Sequence, residues 1–177
     1  IESRGKIKIY FTDAVHPTHN TRSTRGWIQK GKDFPLLTCS GRDRVNINGA
    51  LNAMEPTEIH VIECQTVNAQ TTEMLYDKLI EANPEAERIY VIADNARYYK
   101  NKTLKQNLEN QKVEQIFLPP YSPNLNIIER LWKFVRKEVI NANYFSSLQE
   151  FKEKLMEFFE RTEQYKDGRI PLHTLRA

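Results

Sequence analysis

Apolar and polar positions alternate near the start of the chain. In KIKIYFTDA, residues 6–14, Ile7, Ile9 and Phe11 share one parity, and Lys6, Lys8 and Tyr10 the other. A period of two marks a β-strand. Asp13 has the parity of the apolar set but lies past its last member, which predicts a carboxylate at the strand's mouth. Residues 34–40, 44–52 and 58–66 read as three further strands, separated by Gly41, Asp43, Glu55 and Pro56; hairpin-length connections predict antiparallel neighbours. The period then lengthens to that of a helix over 69–83, with Met74, Leu75, Leu79 and Ile80 on one stripe and Asn83-Pro84 as its stop. Residues 88–94, RIYVIAD, are almost continuously apolar, as in a strand covered on both faces. Strand, helix, strand in that order predicts a right-handed crossover into a parallel position. A polar helix over 101–110 and a strand over 113–118 follow. A helix over 127–140 turns Ile128, Leu131, Trp132, Val135 and Val139 inward and Glu129, Lys133, Arg136 and Lys137 elsewhere. The last helix, 147–163, buries Leu148, Phe151, Leu155, Phe158 and Phe159. The fold class predicted is α/β: a mixed sheet, three antiparallel then two parallel strands, flanked by helices.

The 177 residues suffice for one well-buried domain. No apolar run approaches the roughly 20 residues of a membrane span, and IESRGKIKIY lacks the apolar core of a signal peptide. A soluble cytoplasmic protein with no membrane partner is the expectation. The chain begins with Ile, as a fragment or processed product would. A net charge of +3 and a pI near 8.8 are compatible with a polyanionic partner. Cys39 and Cys64 sit in apolar segments and read as buried, reduced thiols; neither has a second Cys or His at zinc-ligand spacing. Residues 15–33 lack periodicity and carry His16, His19, Arg22, Arg25, Lys30 and Lys32. Trp27 and Ile28 are expected to pin this excursion to the body. It reads either as a solvated loop or as a basic loop that touches phosphates.

Three acids stand out by placement. Asp13 follows one apolar run and Asp94 ends another. Glu129 opens a helix, 34 residues separating it from Asp94. Between them PPYSPNLN, 119–126, carries three prolines that fix backbone angles and stiffen the approach to the helix. Two strand ends and a helix start can deliver three carboxylates to one point. Such a cluster repels itself and is a poor structural device, but it suits Mg²⁺ or Mn²⁺, and two such ions can activate a nucleophile and stabilise a leaving oxygen in phosphodiester chemistry. Taken singly, each acid could equally be a turn or helix-surface residue.

Asp94-Asn-Ala, then LPPYSPNLN over 118–126, then Ile128-Glu-Arg-Leu-Trp132 resemble the catalytic domain of mariner-type transposases, most of all their bacterial insertion-sequence branch. The resemblance covers nearly the whole chain in element order. It implies a ribonuclease-H-like fold, a DDE triad carried by Asp13, Asp94 and Glu129, two Mg²⁺ or Mn²⁺ ions, and double-stranded DNA, transposon ends and target, as partner. A homodimer in the DNA complex is expected as well. Ala14 stands where many relatives have Glu, Tyr98 where many have His, and Ile127 where many have Pro; none of these removes a triad acid. The family also carries an N-terminal helix-turn-helix region, and nothing ahead of KIKIYF reads as one, so residues 1–177 are expected to be the catalytic domain alone.

The DNA-contacting set expected beside the triad is Lys133 and Arg136, one and two turns beyond Glu129, with Arg97, His16, His19, Arg22 and Arg25 of the flanking loops. The chemistry expected is in-line hydrolysis that frees a 3′-OH, followed by attack of that 3′-OH on a target strand, with neither Tyr98 nor Tyr121 as a covalent nucleophile. Two other readings compete. One is a different nuclease of the same fold, such as a hybrid-cleaving ribonuclease or a junction resolvase. The other is a non-catalytic DNA-binding module.

Overall fold

A computed structural model describes residues 6–21, 27–33, 35, 37–39, 41–141 and 143–162. Five strands, β1 (Ile7–Val15), β2 (Asn46–Asn52), β3 (Ile59–Cys64), β4 (Arg88–Ala93) and β5 (Val113–Phe117), form one sheet in the order β3-β2-β1-β4-β5. β1 and β2, and β2 and β3, pair antiparallel; β4 joins β1 and β5 joins β4 in parallel. This is the mixed arrangement the pattern predicts. Its helices are α1 (Ala69–Ala82), α2 (Lys102–Leu108), α3 (Ile128–Val135) and α4 (Leu148–Glu160).

The sheet is covered on both faces. On one, Val45, Ile47, Leu51 and Val61 pack against Ile128, Leu131, Trp132 and Val135 of α3 and Phe151, Leu155, Phe158 and Phe159 of α4. On the other, Tyr10, Ala50, Ile89, Val91 and Val113 pack against Leu75, Tyr76 and Leu79 of α1 and Leu104 and Leu108 of α2. Double coverage explains why all seven residues of β2 are buried. It also explains why Tyr10 and Thr12, on the parity opposite to the apolar set, are the fully buried members of β1.

Local chemistry sets the helix ends. Asn68 and Thr71 form a reciprocal capping box at the start of α1, and Asn101 accepts from the Thr103 and Leu104 amides at the start of α2. Ser147 accepts from the Glu150 amide at the start of α4. α3 has no side-chain cap.

Several expectations are corrected. The described residues of 34–40 form no strand. Trp27 is fully exposed and Ile28 more than half exposed, so neither pins the loop; it is tied to the body instead through residues 16–19, among them buried His19, with Nε2 donating to Phe145 O at 2.9 Å and the ring beside Phe151. On α1, Met74 is half exposed and Thr72 and Tyr76 take the buried stripe with Leu75 and Leu79, a set spaced i, i+3, i+4, i+7. The helix expected to run to Ile140 is α-helical only to Val135 and closes in a π-helical turn, Arg136–Ile140. The wider turn brings the consecutive Val139 and Ile140 both into the core. Cys39 and Cys64 are free but only partly buried.

Candidate active site

The parallel pairing of β1 with β4 ends at Phe11 opposite Ile92, whereas the antiparallel pairing of β1 with β2 runs on to Val15 opposite Ile47. A crevice opens there, at the carboxyl ends of β1 and β4, where an open α/β sheet changes direction. Asp13 lies within β1, two residues before its end and opposite Gly49 of β2, on the strand over which the pattern ran. Asp94 follows the last residue of β4, and its Oδ1 accepts from the Ala96 amide at 2.9 Å. Glu129 occupies the first turn of α3. All three line one cleft of about 240 Å³, together with Asn95, Leu118, Tyr121 and Asn126.

The three acids sense one another. Burial pushes the Asp13 carboxyl up to about 7, and the charges of Glu129 and Asp94 push the same way; hydrogen bonds from the Ala14 amide and the Trp132 indole only partly oppose them. They are not drawn into a tight cluster. Among the described residues no group of three His, Cys, Asp or Glu side chains stands close enough to hold a metal ion. The donors are hard oxygens on separate elements, a set that suits Mg²⁺ or Mn²⁺.

Four supporting residues carried no functional assignment from the sequence. Trp132, read there as core alone, donates its Nε1–H to Asp13 Oδ2 at 3.1 Å. Gly49 makes this possible: a Cβ there would lie 2.6 Å from Trp132 Cη2, so only glycine lets the indole lie against β2 beside Asp13. Asn126 is buried, and its Nδ2 donates to Thr12 O at 3.1 Å, tying the entry of α3 to the residue before Asp13. Its Oδ1 has no hydrogen-bond partner among the described residues although it is buried, a lone acceptor at the wall of the acid cleft. Asn95 donates to Leu118 O at 2.7 Å and joins the ends of β4 and β5. Asn95 and Asn126 lie inside the motif already singled out, which was the available signal; the Gly49–Trp132 contact had none.

The other expected site residues separate. Lys133, Arg136 and Arg97 are exposed. Arg136 and His16 share a second pocket with Trp132, and His16 Nδ1 donates to Asn46 Oδ1 at 2.8 Å. Burial removes His19 from any surface, which corrects its assignment to the DNA-contacting set. Arg22 and Arg25 lie outside the described residues. Tyr98 is half-buried near the acids: burial, then the charges of Asp94 and Asp13, push its hydroxyl up to about 12. Such a phenol stays protonated, the opposite of an activated nucleophile. Tyr121 is the one described non-glycine residue with positive φ, 58°, a conformation costing roughly 1–2 kcal/mol for a residue with a side chain.

A five-stranded mixed sheet in the order β3-β2-β1-β4-β5, flanked by helices, is a ribonuclease-H-like fold. The model of the DDE superfamily endonucleases matches residues 8–152, and the chain belongs to that family. It is 24% identical over 172 residues to the insertion element IS630 uncharacterized 39 kDa protein of Shigella sonnei, covering 95% of this chain and 49% of that protein. Among solved structures it is similar to a Mos1 mariner paired end complex with Mn, at a TM-score of 0.65 and 20% identity, over 93% of this chain and 52% of that one. A Mos1 transposase paired-end complex with left transposon end matches at a TM-score of 0.63 and 19% identity, over 92% and 53%. The structural likeness bears on the fold. The chain spans about half the length of these relatives.

Proposed function

We propose that this chain is the catalytic domain of a DNA transposase of the insertion-sequence type, with Asp13, Asp94 and Glu129 as its catalytic triad. The observation that carries the reading is the delivery of these three acids, from β1, the end of β4 and the start of α3, to one cleft in a chain of the DDE endonuclease family. The same carboxylates would hold divalent cations, Mg²⁺ or Mn²⁺, two in number, with positive charge offsetting their repulsion. When bound, two such ions supply the charge that readies a water or a 3′-hydroxyl on one side of a phosphodiester and stabilises the leaving oxygen on the other. The protein's own part is positioning. Trp132 fixes one oxygen of Asp13, Asn126 ties β1 to α3, and the Ala96 amide orients Asp94. Exposed Lys133, Arg136 and Arg97, with the basic loop, offer positive charge for phosphates, and exposed His16 lies beside Arg136 in the same pocket. With two ions to ready the nucleophile, hydrolysis and strand transfer need no covalent protein–DNA intermediate. The partner is double-stranded DNA, transposon ends and target, bound by two copies of the protein in the compartment that holds that DNA. Among the described residues no helix is long and apolar enough to cross a membrane.

The test is incubation of the protein with end-bearing DNA and Mg²⁺, followed by product sequencing. Strand-transfer products in which a newly made 3′-OH is joined to a second DNA are expected, and should vanish in chelator and in Asp94→Asn. Hydrolysis without joining would favour another nuclease of the fold. DNA binding with no metal-dependent chemistry would favour a non-catalytic module.

A further inference from the structure

The second pocket, the one that Trp132 shares with Arg136 and His16, has a volume of about 140 Å³ and two kinds of lining. One is apolar: Ile47 of β2, Trp132 and Val135 of α3, Ile140, and Leu155 and Phe159 of α4, all buried. Trp132 and Phe159 meet edge to face, at 85° with 6.3 Å between ring centroids, and form an aromatic corner. The other lining is polar and basic, with Arg136, His16 and Thr18. No acid takes part in it, and among the described residues neither the Arg136 guanidinium nor the Thr18 hydroxyl has a partner. Arg136 and Ile140 belong to the π-helical turn, an irregularity that in other helices often marks a functional site. An unfilled cavity forfeits packing contacts. This one has the size of a benzene ring, which an engineered cavity of about 150 Å³ accepts.

We propose that this pocket binds a small aromatic carboxylate, with the ring in the corner of Trp132 and Phe159 and the carboxylate on Arg136 and the Thr18 hydroxyl. A guanidinium pairs with a carboxylate through two parallel hydrogen bonds. An aromatic ring gains from edge and face contacts with two others beyond the area it buries. A bare anion would leave the apolar lining uncovered, and a neutral arene would gain nothing from Arg136. Such binding needs nothing from the transposase reading, although the ligand would take up Arg136, one of the cations offered there to phosphates.

The probe is 3-phenylpropionate, and its neutral counterpart is 3-phenylpropan-1-ol. Trp27→Phe, a change at a fully exposed position, leaves Trp132 as the only tryptophan. The emission of Trp132 is then titrated with each compound. A saturable change is expected with the carboxylate, at a Kd on the order of 1 mM or tighter for a ligand of this size. The alcohol should bind roughly 10-fold or more weakly, for want of the charged pair. Arg136→Gln, made in the same background, alters an exposed side chain and spares the core. It should weaken the carboxylate by roughly 10- to 100-fold and leave the alcohol unchanged. No saturable response to the carboxylate, or equal affinity for the two compounds, would overturn the proposal. So would unchanged carboxylate affinity in Arg136→Gln, or an equal loss for both compounds.

Discussion

A single missing Cβ shapes this site. Gly49 leaves the space in which Trp132 reaches Asp13. Gly49→Ala should therefore push the indole off β2, at a cost of about 1–3 kcal/mol from overpacking, and free Asp13 from its hydrogen bond. Chemical denaturation should show that loss, and Mg²⁺ titration should show weaker binding. Asp13 itself invites the opposite test. Its carboxyl is raised from an ordinary 3.8 to about 7, so the native state holds the extra proton. Stability then falls as pH rises through this window, and the penalty is complete above about 7. Asp13→Asn keeps an acceptor for Trp132 but removes the charge. In chelator at about pH 8 it should melt above the wild type, by roughly 2–4 °C for each kcal/mol recovered, while Mg²⁺-dependent cleavage disappears. A melting temperature below the wild type would show that the carboxylate is held favourably without metal.

Between elements, one carboxylate joins the end of the sheet remote from the cleft. Glu58, just before β3, accepts from Tyr10 of β1 and, at 2.6 Å, from Asn52 of β2. It also faces His60 and Lys8. Tyr10 OH in turn accepts from Asn83, which closes α1. Burial alone would raise the Glu58 carboxyl, but the hydrogen bonds from His60, Tyr10 and Asn52, with the Lys8 charge, hold it at about 2. A depressed carboxyl stabilises the native state above its ordinary value of 4.5 and loses that contribution as pH falls towards 2. Glu58→Gln should cost roughly 1–3 kcal/mol at neutral pH, and the gap from the wild type should close over that acid range in urea melts. Cleavage should be unaffected, since the network lies at the opposite strand ends. A gap that does not change with pH would refute the linkage.

For the molecule as a whole, the proposed transposase reading makes the exposed cations around α3 the groups expected to set how DNA binding responds to salt. Lys133→Ala with Arg136→Ala should lower affinity for any DNA sequence and reduce the slope of log K against log salt by about 2. An unchanged slope would return both residues to a solvated helix face.

Much of this was written in local pattern. Periodicity, apolar runs and turn residues laid out the five strands and four helices in order, because burial of a face is a local requirement, but they also marked a strand over 34–40 that the described residues do not form. The three acids and the stiff LPPYSPNLN bridge were equally visible along the chain. Pattern misled where neighbours decide. Tyr10 is buried because β1 is covered on both faces, and Tyr76 displaces Met74 through packing on α1. His19 leaves a basic loop for the core. Only the tertiary structure could set Asp13 opposite Gly49, join it to Trp132 across 119 positions of sequence, and seat Asn126 against Thr12. Such contacts follow from sheet register and helix docking. Those are properties of the assembled chain that no window of sequence encodes.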